Sequence, residues 1–381
     1  MFATATRHTA TLVKNRHLLA IQDTTTLRDD GDRQSTVLHP TIAVGAEDGA
    51  LLGLAHAEVL RRSGGAKAKR KRRAFEEKES HRWLRGAEAG ASLLEGGARE
   101  VTVIADREGD IYEEFALRPA GVELLIRAGQ DRCLADGVLL FATAAAAPVL
   151  GAITVELPAA PGRRKREARL TLPTRAIEIA RPNRPMAQRP GLPKSIELTV
   201  IEARETNPPD GAEAAHWRLL TTHQVRGFAD AERLVCFYRR RWTIEQLFRT
   251  CKTKGFDIEA VRVEAPHAFA NLAPATLIAA IRVMQPVHER DGGTGRKLAE
   301  AFDPADAPIL NALNTELEGA TARQKNPHPA NTLAFASWVI ARLGGRTIYY
   351  GKPGPIVMLH GLRRFKAIRE GWRLRRDVPT R

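Results

Sequence analysis

Cysteine is scarce: the 381 residues hold three, Cys133, Cys236 and Cys251. Their spacing matches no zinc pattern and an odd number builds no disulfide framework, so a reducing compartment is expected. Met1 to Leu18 is polar and basic and has no apolar h-region, so it does not read as a signal peptide. One uncharged run, Gly137–Val155, is long enough to span a bilayer, but it is Ala-rich and split by Pro148 and Gly151. It reads better as a short helix followed by a strand. There is no internal repeat, no heptad run, no Gly-x-Ser-x-Gly and no paired-histidine arrangement. The absent nucleophile elbow and histidine pair argue against a serine hydrolase or a zinc enzyme. The stretch DGGTGRK at 291–297 lacks the phosphate-loop spacing and follows a helix, so it reads only as a flexible break.

What the chain has is positive charge. Lys and Arg number 59 against 44 Asp and Glu, a formal net charge of +15. A polyanionic partner follows, nucleic acid before a membrane surface. The length predicts two or three domains and allows a sizeable core.

Taken in order, His17–Ile21 (HLLAI) reads as a buried strand that delivers Asp23 at its end. Thr24, Thr25 and Thr26 favour extended backbone. Thr41–Val44 and Leu51–His56 read as two more strands around the turn Glu47-Asp48-Gly49, which makes an antiparallel meander. The basic loop 61–73 (RRSGGAKAKRKRR) is either a solvated surface loop or a phosphate-contacting arm. His81–Leu94 reads as a helix with Ser80 as a candidate cap. Val101–Ala105 (VTVIA) is a second buried strand, ending in Asp106 just before a helix from about Ile111. Asp106 is either a displayed carboxylate or a helix N-terminal charge. From Glu123 to about Thr222 the pattern is strands, with basic loops at 161–169 and 181–194. His267–His288 reads as a long apolar helix, and the remainder as helical and basic.

The stretch YRRRWTIEQLFRTCKTK, Tyr238–Lys254, is the densest in chemistry. With Asp230 as a start signal and Gly255 as a stop, residues 230–254 read as one helix. At 100° per residue, Tyr238, Arg241, Glu245 and Lys252 then fall within about 60° of one another. Such a face is either solvated Arg/Glu pairing or a place where a carboxylate binds a hard cation and two cations hold phosphate. Asp23, Asp106 and Glu245 come from two strand ends and one helix. Three such carboxylates can hold two divalent ions about 3.5–4 Å apart for in-line phosphoryl transfer.

On four patches the chain resembles the DDE transposases of the IS4 family, within them the group containing the Tn5 transposase. They are LLAIQDTTTL around Asp23, EKESHRWL at 77–84, VIADREGDI around Asp106, and YRRRWTIEQLFRTCKT, which fits the family's Y-(2)-R-(3)-E-(6)-K pattern without a gap. ARLGG at 341–345 and EGW at 370–372 resemble the family's C-terminal region. The resemblance implies an α/β fold: an RNase H-like mixed-sheet core with a β-strand insertion and a helical C-terminal region. The expected division is 1–120 and 226–290 for the core, 121–225 for the insertion and 291–381 for the C-terminal region. It implies Mg²⁺-dependent (or Mn²⁺-dependent) cut-and-paste transposition, with Asp23, Asp106 and Glu245 as the metal-holding triad. Tyr238, Arg241 and Lys252 would grip phosphates at the transposon end. Trp217 would receive a flipped base, or else is a core residue at a strand start, and Arg127 lies near the hairpin. Partners would be duplex DNA and a second copy of the chain, in the bacterial cytoplasm and not at a membrane.

Two departures bear on function. Relatives carry a helical end-binding domain before the first Asp, where only 22 residues stand here, and they continue past EGW. On the given sequence, contacts from the core and basic loops alone would bind duplex DNA with weak sequence preference and strong salt sensitivity. The rival readings are a silent DNA-binding regulator of transposition and an RNase H-like nuclease that cuts without joining.

Overall fold

The computed structural model describes residues 2–31, 34–62, 75–157, 165–183, 191–263, 266–347 and 351–377. Of the basic loops expected at 61–73, 161–169 and 181–194, residues 63–73, 161–164 and 184–190 lie outside the described residues, and 166–169 open a strand. The strands are β1 His17–Gln22, β2 Thr25–Gly31, β3 Gln34–Gly45, β4 Leu51–Arg62, β5 Glu100–Ala105, β6 Val122–Arg127, β7 Val149–Leu157, β8 Arg166–Ala180, β9 Ser195–Glu205 and β10 His216–Thr221. The helices are α1 Phe2–Ala10, α2 His81–Glu95, α3 Tyr112–Ala116, α4 Leu140–Ala145, α5 Phe228–Arg239, α6 Trp242–Lys252, α7 Pro266–Glu289, α8 Ala307–Leu317, α9 Leu333–Leu343 and α10 Pro355–Asp377.

All ten strands join one mixed sheet in the order β2-β3-β1-β5-β6-β10-β9-β8-β7, with β4 on β3. β1, β5 and β6 run parallel, β3 is antiparallel to β1, and β4 is antiparallel to β3. This is the RNase H-like α/β core, followed by antiparallel strands and a helical C-terminal region. β6 pairs in parallel with β5, so the purely antiparallel part of the sheet begins with the strands after it. β3 is long enough to pair with β1 through its second half and with β2, which begins in the threonines expected to be extended, through its first.

β1 is buried at every position, as expected of a parallel strand covered on both faces. Side chains alternate across it. Leu18 and Ala20 join Val101, Val103 and Ile126 under Trp83 and Ala87 of α2. Leu19 and Ile21 join Ile104 and Leu125 under Leu234, Ile244, Leu247 and Leu277 of α5, α6 and α7. The period of two thus builds a helix–sheet–helix sandwich, and it decides which face each strand-end residue meets.

Two expectations change. Residues 230–254 form two helices, α5 and α6. At the junction the amides of Arg240, Arg241, Thr243 and Ile244 each donate three residues back, at 3.0–3.1 Å. The turn tightens although no Pro or Gly is present, because Arg240 is drawn to the β3–β4 turn, donating to the carbonyls of Gly45 (2.6 Å) and Glu47 (2.9 Å). Ser80 does not cap α2: its backbone is already helical (φ −65°, ψ −16°) and its side chain makes no cap bond. Gly137–Val155 is a helix then a strand, as read. It is instead Ala268–Glu289, within α7, that is long and apolar enough to cross a membrane by length and composition, and half of that stretch is buried inside the fold.

α9 is apolar on all sides and buried along nearly its whole length. It crosses α10 at two glycines. A Cβ on Gly361 would stand 1.9 Å from the carbonyl oxygen of Ile340, and one on Gly344 2.0 Å from that of Val357. An isolated helix would gain about 1 kcal/mol from Gly→Ala. Here the clash is with backbone, and overpacking costs about 1–3 kcal/mol. Gly361→Ala should therefore lower the urea midpoint; a raised midpoint would show that the crossing has slack.

Candidate active site

β1 and β5 lie side by side in register, Leu19 opposite Thr102 and Ile21 opposite Ile104. Asp23 and Asp106 each stand two residues beyond the Ile21–Ile104 pair. Adjacent strands are about 4.8 Å apart, so two carboxylates leave neighbouring strand ends together. By the alternation they fall on the face of Leu19 and Ile21, the face α5 and α6 cover. Each aspartate also shapes its own turn. The amide of Thr24 donates to Asp23 Oδ1 at 2.7 Å. Asp106 caps the one-turn helix Arg107–Gly109, accepting from the amide of Glu108 at 2.9 Å.

Glu245 sits in the first turn of α6, where the helix N-terminus favours negative charge. Arg241 joins it to the strand end. Its Nη1 donates to Asp23 Oδ2 at 2.6 Å and its Nη2 to Glu245 Oε1 at 2.9 Å. Burial pushes the Asp23 carboxyl up to about 7; Arg241 opposes this, while Asp106 and Glu245 add to it. Burial works against the Arg241 charge too, but Tyr238 and the carboxylates outweigh it and hold that guanidinium above its ordinary range. Burial likewise raises the Tyr238 phenol, against the pull of Arg241 and Arg127. It lowers Arg127.

Beside the carboxylates opens a cavity of about 610 Å³ lined by Arg107, Arg127, Trp217, Tyr238, Arg241 and Trp242, among others. The Trp217 and Tyr238 rings are 6.1 Å apart, tilted by 53°. Arg127 Nη2 donates to the carbonyl of His216 at 3.0 Å, which holds it against the same strand as Trp217. Two of the lining residues were not singled out from sequence. Arg107 directly follows Asp106 in the turn, and Trp242, exposed at 38%, follows Arg241 in the basic run. An aromatic next to three arginines was the available signal.

The structure thus brings Asp23, Asp106, Glu245, Arg241, Tyr238, Arg127 and Trp217 to one edge of the sheet. Lys252 ends α6, about two turns beyond Glu245, and is paired with Glu259 at 2.8 Å. The junction divides the expected single helix between Tyr238 and Glu245, yet Tyr238 and Arg241 still line the same cavity.

Among the described residues, no group of three His, Cys, Asp or Glu side chains is arranged to hold a metal ion. The Arg241 guanidinium bridges Asp23 and Glu245, the position a cation between them would take. The donor chemistry fits a hard divalent ion: three carboxylates, two of which destabilise the charge of the third.

The raised Asp23 pKa makes a stability prediction. Between 3.8 and about 7 the folded chain binds a proton that the unfolded chain does not, so this group adds stability as pH falls through that window and costs stability above it. Asp23→Asn, which mimics the neutral acid, should be more stable than the native chain at pH 8, by about 2–4 kcal/mol. The gain should vanish by pH 4. Urea melts at the two pH values check it, and an Asn variant that is less stable at pH 8 would contradict the tension described.

The strand-end carboxylates, the helix glutamate and the arginine-lined cavity are what phosphoryl transfer on a polyanion requires. A family model described as the transposase DDE domain matches residues 7–281, a span that includes all three carboxylates and every residue of the cavity. The chain belongs to the family of DDE-domain transposases.

Proposed function

We propose that the chain is an IS4-type transposase of the Tn5 group, acting on the ends of an insertion sequence by metal-dependent cleavage and strand transfer. The family generally works with a divalent ion. Asp23, Asp106 and Glu245 would hold Mg²⁺ or Mn²⁺, which when bound activates water or a 3′-hydroxyl and stabilises the leaving oxygen. The observation that carries this reading is the register match of Asp23 and Asp106, with Arg241 tying Asp23 to Glu245.

The chain's own groups supply the rest. Arg241 neutralises the carboxylates in the free protein and is placed to turn a guanidinium edge to a phosphate when DNA enters. Arg127 and Arg107 line the path of the backbone. Tyr238 supplies a hydroxyl and Trp217 a stacking surface for an unpaired base. Lys252 reaches DNA only by leaving Glu259. We assign residues 1–120 and 226–290 to the catalytic core, 121–225 to the insertion and 291–381 to a C-terminal region that supports a homodimer on paired ends. The site of action is the bacterial cytoplasm.

Asp23→Ala, Asp106→Ala and Glu245→Ala should each abolish Mg²⁺- or Mn²⁺-dependent nicking of supercoiled plasmid while duplex binding persists. Nicking that survives all three would refute the triad. Persistent nicking by the native chain without any joined product would favour the nuclease reading. Each lost phosphate contact lowers the salt slope of binding by about one. Arg241→Ala should do so in a filter-binding titration, and an unchanged slope would assign Arg241 to the carboxylates alone.

A further inference from the structure

Three of the four patches that mark this chain supply carboxylates or cavity residues; the fourth, EKESHRWL, supplies none. It carries Arg82, whose side chain is almost wholly buried at 6% exposure. Arg82 lies at the start of α2, beneath the sheet edge that bears Asp23 and Asp106. Its Nε donates to Thr24 Oγ1 at 3.0 Å and its Nη2 to Glu108 Oε2 at 2.9 Å. Thr24 and Glu108 are the two residues whose amides hold the aspartates, at 2.7 Å to Asp23 Oδ1 and 2.9 Å to Asp106 Oδ1. One guanidinium therefore closes a bridge from the turn after Asp23 to the turn after Asp106.

The bridge is anchored from behind. Thr24 Oγ1 also lies 2.8 Å from His39 Nδ1, and His39 Nε2 lies 3.2 Å from Gln22 Oε1. With Arg82 donating to the hydroxyl, the Thr24 O–H donates to Nδ1 and His39 Nε2–H donates to Gln22. Gln22 Nε2 in turn donates to the buried Glu114 at 2.9 Å. The Thr24 oxygen is thus held from both sides. The Arg82 guanidinium lies 5.2 Å from the Trp83 ring centre, and His39 packs edge-on against the same ring. A planar fork with two separated donor directions suits two acceptors on different loops; a lysine ammonium does not.

We propose that Arg82 is a positioning residue that sets the spacing of the Asp23 and Asp106 carboxylates, and through it their affinity for a divalent ion. This rests on the reading of those aspartates as metal ligands. Groups that orient ligands from behind typically change metal affinity 10–100-fold when altered.

The test uses the full chain and Mn²⁺ as probe. Mn²⁺ binding is followed by electron paramagnetic resonance of the free ion, folding by urea melts, and nicking on supercoiled plasmid. Arg82→Lys keeps the charge and should keep the melt, but should weaken Mn²⁺ binding by about 10–100-fold. Nicking should fall at low Mn²⁺ and recover at high Mn²⁺, which a purely structural role would not produce. Native Mn²⁺ affinity in Arg82→Lys, or a loss of nicking that Mn²⁺ does not restore and that follows the folded fraction, would overturn the proposal. Glu108→Ala removes the far end of the bridge at an exposed position, so it decides the matter if Arg82→Lys fails to fold. It should weaken Mn²⁺ binding by up to about tenfold, and an unchanged affinity would count against the bridge. Asp23→Asn is the separate control: if it leaves Mn²⁺ binding intact, the metal-ligand reading itself fails, whatever Arg82 does.

Discussion

A carboxylate buried at the end of a parallel strand is an unfavourable anion, and the Arg241 guanidinium makes it tolerable here. It donates to Asp23 on the sheet and to Glu245 on α6, so it fastens the end of the sheet to the helix that covers it. Charge balance and packing are therefore one problem at this edge. Remove the guanidinium and two carboxylates face each other across a partly dry gap, with Asp106 nearby. In the proposed function a divalent ion would compete with the guanidinium for the same two carboxylates. The same tension that disfavours Asp23 as an anion in the free protein gives the edge its appetite for positive charge.

The parts of this arrangement that rest on local chemistry were legible in the sequence. HLLAI and VTVIA are apolar runs of strand length, and each hands an Asp to a polar turn. The parts that rest on tertiary contact were not. The break between α5 and α6 carries no Pro or Gly; it comes from Arg240 reaching the β3–β4 turn. The extended backbone that the threonines after Asp23 favour is the start of β2; its continuation to Gly31 rests on pairing with the first half of β3. Helical phase puts Lys252 on the Glu245 side of α6, but it says nothing of the tertiary partner, Glu259, that the ammonium meets. Trp242 beside three arginines carried a local signal, whereas for Arg107 nothing local distinguishes a cavity wall from a solvated face.

Net charge read from composition overstates how much of this surface faces DNA. Several arginines are partly or fully buried and donate to backbone carbonyls at the termini of strands or helices: Arg240 to Gly45, Arg296 to Leu51 and Arg342 to Leu317. Others sit in buried carboxylate pairs, such as Arg132 with Asp110 and Arg218 with Glu202. Guanidinium suits this work because it loses less hydration than an ammonium and offers several donors at once.

The three carboxylates are drawn from positions 23, 106 and 245, and the third arrives only after the antiparallel strands β7 to β10 have been made. At about 5–20 residues per second, a ribosome spends on the order of ten seconds between the second and the third. Through that interval the emerging chain has both strand ends but no α6, and so neither Glu245 nor Arg241. With the three carboxylates acting together as proposed, the growing chain is inert toward DNA until α6 has been made, for no reason beyond the order of its elements along the chain.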